Sequence, residues 1–159
     1  MTYAFLGLGS NLGDRAANLW EASRRLCDIP GCRLGRISRL YESAPVGPPN
    51  QAWYLNAVVA ADVGLSPREL LEQTKRIEHQ MGRAPAERWG PRLIDIDLLL
   101  FGSEEVSSDD LVVPHPELWN RRFVLLPLAE ILPAGPLADR VATRVGELGE
   151  GQDVRLWRA

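Results

Sequence analysis

Arg88-Trp89-Gly90-Pro91-Arg92-Leu93-Ile94-Asp95-Ile96-Asp97-Leu98-Leu99-Leu100-Phe101 is the stretch from which fold and chemistry are read together. Its second half is an apolar, β-prone run of strand length, yet it carries two aspartates. Side chains alternate along a strand, so Asp95 and Asp97 share a face, with Cα atoms roughly 6.5–7 Å apart. Two carboxylates side by side on a half-buried sheet repel each other and lose hydration. A divalent cation removes both penalties, and hard oxygen donors suit Mg²⁺. Just upstream, Arg88 and Arg92 flank a Gly-Pro turn, with Trp89 between them. Cations beside a metal-binding pair suit a polyphosphate, whose charge both would meet. A D-x-D pair alone also fits a surface strand facing solvent; the arginines favour the polyphosphate.

Outward from that stretch, the whole chain sets limits. Its 159 residues suit one compact domain, 1–159, with a real core. A net charge of −3 excludes the basic balance expected of a nucleic-acid binder. Lys75 is the only lysine among 18 Lys and Arg residues, so a phosphate loop that needs a lysine has nowhere to draw one. Cys27 and Cys32 are too close to frame a disulfide scaffold and too few for a zinc site, which suits reduced cysteines in the cytosol. Tyr3-Ala4-Phe5-Leu6 follows no basic leader, and no apolar run reaches 18 residues. The expectation is a soluble, cytoplasmic protein with no membrane partner.

Residues 2–9 read as a first strand, ending in Gly7-Leu8-Gly9-Ser10-Asn11-Leu12-Gly13-Asp14. The glycine spacing is one residue too long for a dinucleotide fingerprint, and no G-x-x-x-x-G-K-[ST] loop exists. A strand-to-helix turn capped by Asn11 or Asp14 is the plain reading; Ser10 and Asn11 remain candidates to face a ligand. Ala16, Leu19, Trp20, Ala22 and Leu26 recur at helical spacing up to Cys27, and Ile29-Pro30-Gly31 stops that helix. A strand is expected through Leu34, Ile37, Leu40 and Tyr41. The segment from Glu42 to Gln51 is long for a hairpin and rich in turn formers, as functional loops often are. Tyr54 to Val63 is the next strand, whose one early polar residue, Asn56, is either a brace or a ligand group.

Ser66, Pro67 and Glu69 form the signature of a capped helix start. That helix runs to about Met81, with Leu70, Leu71, Thr74, Ile77 and Met81 inward and Gly82 behind it. From Lys75 to Arg92 five basic residues meet only Glu78 and Glu87, beside the aspartate strand. A polar acidic loop spans Ser103 to Asp110, and His115 then stands between two prolines, close to Arg121, Arg122 and Phe123. Arg122 to Leu132 reads as a short helix, and the tail as cover for a sheet edge. The order β-α-β-β-α-β with a helical appendix predicts an α+β, ferredoxin-like sandwich with helices on one face. In it the aspartate strand is expected inside the sheet beside the first strand, with the second face left to ligand and loops.

Five segments together resemble one family: Gly9-Ser10-Asn11-Leu12-Gly13, Tyr54-Leu55-Asn56-Ala57, Arg88 to Arg92 with Asp95-Ile96-Asp97, Val113-Pro114-His115, and Asn120-Arg121. That family is 6-hydroxymethyl-7,8-dihydropterin pyrophosphokinase, of folate biosynthesis, and the resemblance runs from Met1 to about Leu132. It implies transfer of pyrophosphate from ATP to the hydroxymethyl group of the reduced pterin, with release of AMP. It implies two Mg²⁺ ions on Asp95 and Asp97, and ATP contacts from Glu78, Arg83, Trp89, Arg92, Leu98, His115 and Arg121. Arg83 and Arg92 would act in catalysis beside the two aspartates. Tyr54 and Phe123 would sandwich the pterin, Asn56 would bond its edge, and Ser43, Val46 and Trp89 would complete the pocket. The implied partners are small molecules, and the chain is expected to be a monomer. Three departures bear on nucleotide affinity and loop closure: the shortened Ala84-Pro85-Ala86, Asp110 where a basic residue can stand, and Pro116 where an aromatic can stand. Two rivals remain, a metal-dependent nuclease, which lacks its basic groove here, and a metal-free regulatory module, which a Mg²⁺ titration with an ATP analogue would separate.

Overall fold

The computed structural model describes residues 2–45, 50–82, 92–149 and 153–158. Strand β1 (Thr2–Ser10) leads through a turn to helix α1 (Arg15–Cys27), whose Asp14 side chain accepts the Ala17 N–H at 3.1 Å. Strands β2 (Cys32–Ile37), β3 (Tyr41–Ser43) and β4 (Tyr54–Val63) follow, then helix α2 (Pro67–Gln80). The start of α2 carries both halves of a capping box, Ser66 with Glu69, as its sequence predicts. Strand β5 (Asp95–Phe101), the small hairpin β6 (Val106–Ser107) and β7 (Val112–Val113), helices α3 (Arg122–Ile131) and α4 (Pro136–Leu148), and strand β8 (Val154–Leu156) complete the described chain.

The main sheet is antiparallel, in the order β5-β1-β4-β3-β8, with β2 also on β4. This is the expected ferredoxin-like arrangement with two departures within the sheet and one in how its second face is covered. The strand expected from Leu34 to Tyr41 is broken in two. At the break the Ser38 hydroxyl accepts the Val58 N–H at 2.9 Å, so a side chain replaces a rung of the ladder. The aspartate strand β5 lies beside β1, as expected, but at the outer edge of the sheet rather than inside it.

Alternation sorts the strand residues onto two faces. Ala4, Leu6 and Leu8 of β1, Ala57 and Val59 of β4, and Ile96 and Leu98 of β5 pack under Leu19, Ala22 and Leu26 of α1 and Leu70 and Ile77 of α2. The second face is not left to loops alone. Phe5, Val58, Ala60, Leu99 and Leu100 pack against Val124, Leu125, Leu128 and Ile131 of α3, with Val141 of α4 behind them. The tail does reach a sheet edge, where β8 pairs with β3. A register shift between Phe5 and Leu6 leaves Leu99 as an extra residue on β5. Leu99 and Leu100 both therefore reach the α3 side, and the freed Leu99 carbonyl accepts the His115 N–H at 3.0 Å. α3 and α4 cover only one end of this face, and the open end is the cleft.

Candidate functional site

Two glycines make the floor. Gly9 lies between Asp95 on β5 and Asn56 on β4, and Gly7 between Asp97 and Val58 in the next row. With strands about 4.8 Å apart, each row places a carboxylate roughly 10 Å from its partner on β4, with no side chain from β1 between, although Leu99 lies over Gly7. A cleft of about 680 Å³ opens over this floor, bordered by Asp95, Asp97, Arg92 and Arg121 at one end and Ser43, Tyr54 and Asn56 at the other, with Phe123 in the first turn of α3 also lining it. Asp97 is exposed and Asp95 half-buried.

Asn56 is buried, and its amide nitrogen donates to the Tyr41 carbonyl at 3.1 Å and the Ser43 hydroxyl at 2.8 Å. That fixes the amide plane and turns Oδ1 toward Gly9 as an acceptor. The two readings left open by the sequence are therefore one arrangement, a brace that presents an acceptor. Arg121 lies 5.7 Å from the centre of the Phe123 ring, so the cationic and aromatic parts of the cleft meet there.

Asn11 holds two segments at once. Its Oδ1 accepts the Arg92 N–H at 2.7 Å and its N–H donates to the Arg92 carbonyl at 3.0 Å. Its Nδ2 donates to Gln51 Oε1 and the Ala52 carbonyl, both at 3.2 Å. The buried Asn11 thus faces protein and joins the approach to β5 to the approach to β4.

Three expected nucleotide residues lie outside the lining of the cleft. Leu98 points into the core under the helices. Glu78, buried on α2, accepts the Ile96 N–H at 2.9 Å and so grips β5 from behind, between the two aspartates. His115 follows the cis Val113–Pro114 bond. Its Nδ1 accepts the Glu117 N–H at 3.1 Å, which leaves Nε2 to carry the proton. Burial pushes the imidazole below its ordinary pKa; the Asp97 carboxylate opposes this and Arg121 adds to it, so the ring is neutral near pH 7. Asp110 is held by Arg68 at 2.8 and 3.0 Å, so its charge is matched on the spot. Val46, Arg83, Arg88 and Trp89, and the Ala84-Pro85-Ala86 segment, fall outside the described residues.

The sequence reading passed over Gly7 and Gly9 as floor, and Asn120, Asp153 and Val154 as lining. The glycines left a trace, since both stand at alternate positions in a strand where Ala4, Leu6 and Leu8 fill the others. Asp153 and Val154 left none.

Fold and cleft define a class first: an α+β sandwich whose carboxylate pair and arginines share a cleft with an aromatic and amide-lined slot. This is the make-up of a transferase that handles a polyphosphate and a flat polar ring. The chain belongs to the 7,8-dihydro-6-hydroxymethylpterin-pyrophosphokinase (HPPK) family, which matches residues 5–133. It is 50% identical over 133 residues to the 2-amino-4-hydroxy-6-hydroxymethyldihydropteridine pyrophosphokinase of Methylorubrum extorquens, covering 84% of either chain. To the Bacillus subtilis protein of that name it is 42% identical over 155 residues, or 98% of this chain and 90% of that one. A Plasmodium falciparum HPPK-DHPS triple mutant shares the fold, with a TM-score of 0.69 at 15% identity over 92% of this chain. The present chain spans 43% of that longer one.

Proposed function

We propose that this chain transfers the outer two phosphates of ATP, as one pyrophosphoryl group, to the hydroxymethyl group of 6-hydroxymethyl-7,8-dihydropterin. AMP is released, and the step belongs to folate biosynthesis. Family membership supports the reaction. The observation that carries its geometry is the shared glycine floor, which sets the aspartate pair across from the Asn56 slot.

The donor set fits Mg²⁺. Asp95 and Asp97 offer oxygen only, and among the described residues no group of three His, Cys, Asp or Glu side chains assembles. Mg²⁺ commonly takes its other ligands from water and phosphate, so two carboxylates suffice. Two bound ions would neutralise the triphosphate and acidify the attacking hydroxyl. Arg92 and Arg121 meet phosphate charge, and the neutral His115 donates from Nε2. Glu78 and Leu98 hold the β5 side of the nucleotide site from behind. Tyr54 and Phe123 stack on the ring, Asn56 Oδ1 accepts one of its N–H groups, and Ser43 fixes Asn56. Arg83, Trp89 and Val46 complete the set, with Arg83 on the phosphates and Trp89 over both substrates. Phosphoryl transfer asks mainly for alignment and charge neutralisation, which this set provides without a strong general base. In this reading the chain 1–159 acts as one domain, as a monomer and in the cytoplasm. Separately, among the described residues no helix is long and apolar enough to cross a membrane.

The test is the phosphorus attacked. Enzyme, Mg²⁺, ATP and the reduced pterin are incubated and the nucleotides resolved by chromatography. AMP in equal amount to pterin diphosphate is expected. ADP would place the attack at the γ-phosphorus and overturn the reading, and pterin-independent hydrolysis would make the protein a nucleotidase.

A further inference from the structure

Strand β8 lies beyond residues 5–133, which match the family model, yet Asp153 and Val154 line the cleft. It pairs with β3 in the register Ser43 to Val154, Glu42 to Arg155 and Tyr41 to Leu156. The Asp153 carbonyl accepts the Ala44 N–H at 3.1 Å, and the Trp157 N–H donates to the Leu40 carbonyl at 2.9 Å. Arg155 reaches two groups at once. It donates to Glu42 Oε1 at 3.2 Å, and its guanidinium lies 4.3 Å from the centre of the Trp53 ring. The other Glu42 oxygen takes Arg15 at 2.9 Å, and Arg15 also donates to the Trp53 carbonyl at 2.8 Å. Side chains from α1, β3 and β8 thus tie the residues before the 44–53 loop to those at its end. The first group carries Ser43, the partner of Asn56; the second is followed by Tyr54.

We infer that β8, through Arg155, is a positioning element of the acceptor pocket. It fixes Ser43 and Ala44 relative to Trp53 and Tyr54, and so sets affinity for the flat ring substrate. The nucleotide end is insulated from it, because β5 and β8 are opposite edges of the sheet. Arg155 is 64% exposed while Glu42 is 15% exposed and keeps Arg15 as a second partner, so removing Arg155 leaves Glu42 paired and thermal unfolding reads any effect on folding apart from the pocket. This rests on the proposed pterin reaction.

The experiment is calorimetry on the full chain and on Arg155→Ala, Arg155→Lys and Trp53→Leu. The reduced pterin is titrated in the presence of an unreactive ATP analogue, and the analogue alone in a second series. Steady-state rates and thermal unfolding accompany both. Arg155→Ala is expected to weaken pterin binding about three- to tenfold, as a lost cation–π contact and a lost ion pair together allow. It should raise KM for the pterin with kcat and KM for ATP unchanged. Arg155→Lys should restore most of the affinity, and Trp53→Leu should add little to the loss in Arg155→Ala. Unaltered pterin affinity in Arg155→Ala would overturn the inference alone. So would equal weakening of both ligands with a lowered unfolding temperature, which marks a merely structural residue. A wild-type chain that takes up no pterin would overturn the functional reading and this inference with it.

Discussion

A methyl group on Gly9 would stand 3.4 Å from Asn56 Oδ1 and 3.5 Å from Tyr54 Cδ1. Gly9 is not among the glycines with positive φ, so the strand itself accepts an alanine. Gly9→Ala is therefore expected to fold with an unfolding temperature close to wild type. The methyl would fill space beside the acceptor that the ring needs and reduce pterin affinity about tenfold, or roughly 1.4 kcal/mol. ATP-analogue affinity should hold; calorimetry with each ligand checks this, and unaltered pterin binding would show that the slot is not used. Asp97 makes the complementary case. It is exposed and shares a face with Asp95, so Asp97→Ala removes a like charge from the metal-free protein. Stability should hold or rise while Mg²⁺-dependent turnover is lost, measured by thermal unfolding and by AMP release. The aspartates were legible in the sequence because a charge inside an apolar strand is an anomaly that period-two alternation locates. The glycine floor was not, because a floor exists only once the strands on both sides of β1 are known. A glycine run after a strand reads equally well as a turn.

At the scale of elements, both capped helices and most strands followed from local signals: a cap at Asn11 or Asp14, which the structure resolves to Asp14, a cap at Ser66, apolar residues at helical spacing, and Ile29-Pro30-Gly31 as a stop. What local signals could not supply was order across the sheet. The placement of β5 at an edge depends on which strand β1 accepts on each side. The split between β2 and β3 depends on the Ser38 hydroxyl meeting an amide 20 residues away. The same holds for Asn11, which looks like a turn residue and is the clamp between two long-range segments. Asn11→Ala removes the acceptor for the Arg92 N–H and both bonds to residues 51–52. A loss of about 1–3 kcal/mol is expected from the unsatisfied groups. Because the clamp joins both sides of the cleft, KM should rise for ATP and for the pterin. Asn11→Asp should restore the Arg92 side alone. Denaturant unfolding and steady-state rates check the pair, and a variant impaired for only one substrate would show that the two segments are not coupled.

Over the whole molecule, acid is the condition that tests the surface ion pairs. Glu21 of α1 is drawn from 4.5 to about 2 by hydrogen bonds from Arg24 and Arg25. Asp110, beside the β6–β7 hairpin, is drawn from 3.8 to about 2 chiefly by Arg68 of α2. Both carboxyls therefore bind protons less readily in the folded chain than in the unfolded one. Their stabilisation is fully present above the ordinary values and is lost as pH falls through about 2. Each pair is exposed and screened by salt, so neither alone governs the fold. As the other carboxylates protonate, however, a chain of net −3 with 18 Lys and Arg residues becomes strongly positive, and self-repulsion adds to the loss. Thermal unfolding measured from pH 7 to pH 2 should show a plateau to about pH 5 and a decline below about pH 4.5 that deepens toward pH 2. Glu21→Gln and Arg68→Ala, combined, should lower the plateau slightly and flatten the decline, since the first removes one shifted carboxyl from the titration and the second takes away the partner that holds Asp110 below its ordinary value. Raising the salt concentration should narrow the gap between variant and wild type. A stability that rises on acidification across this window would mean that these pairs do not persist in solution.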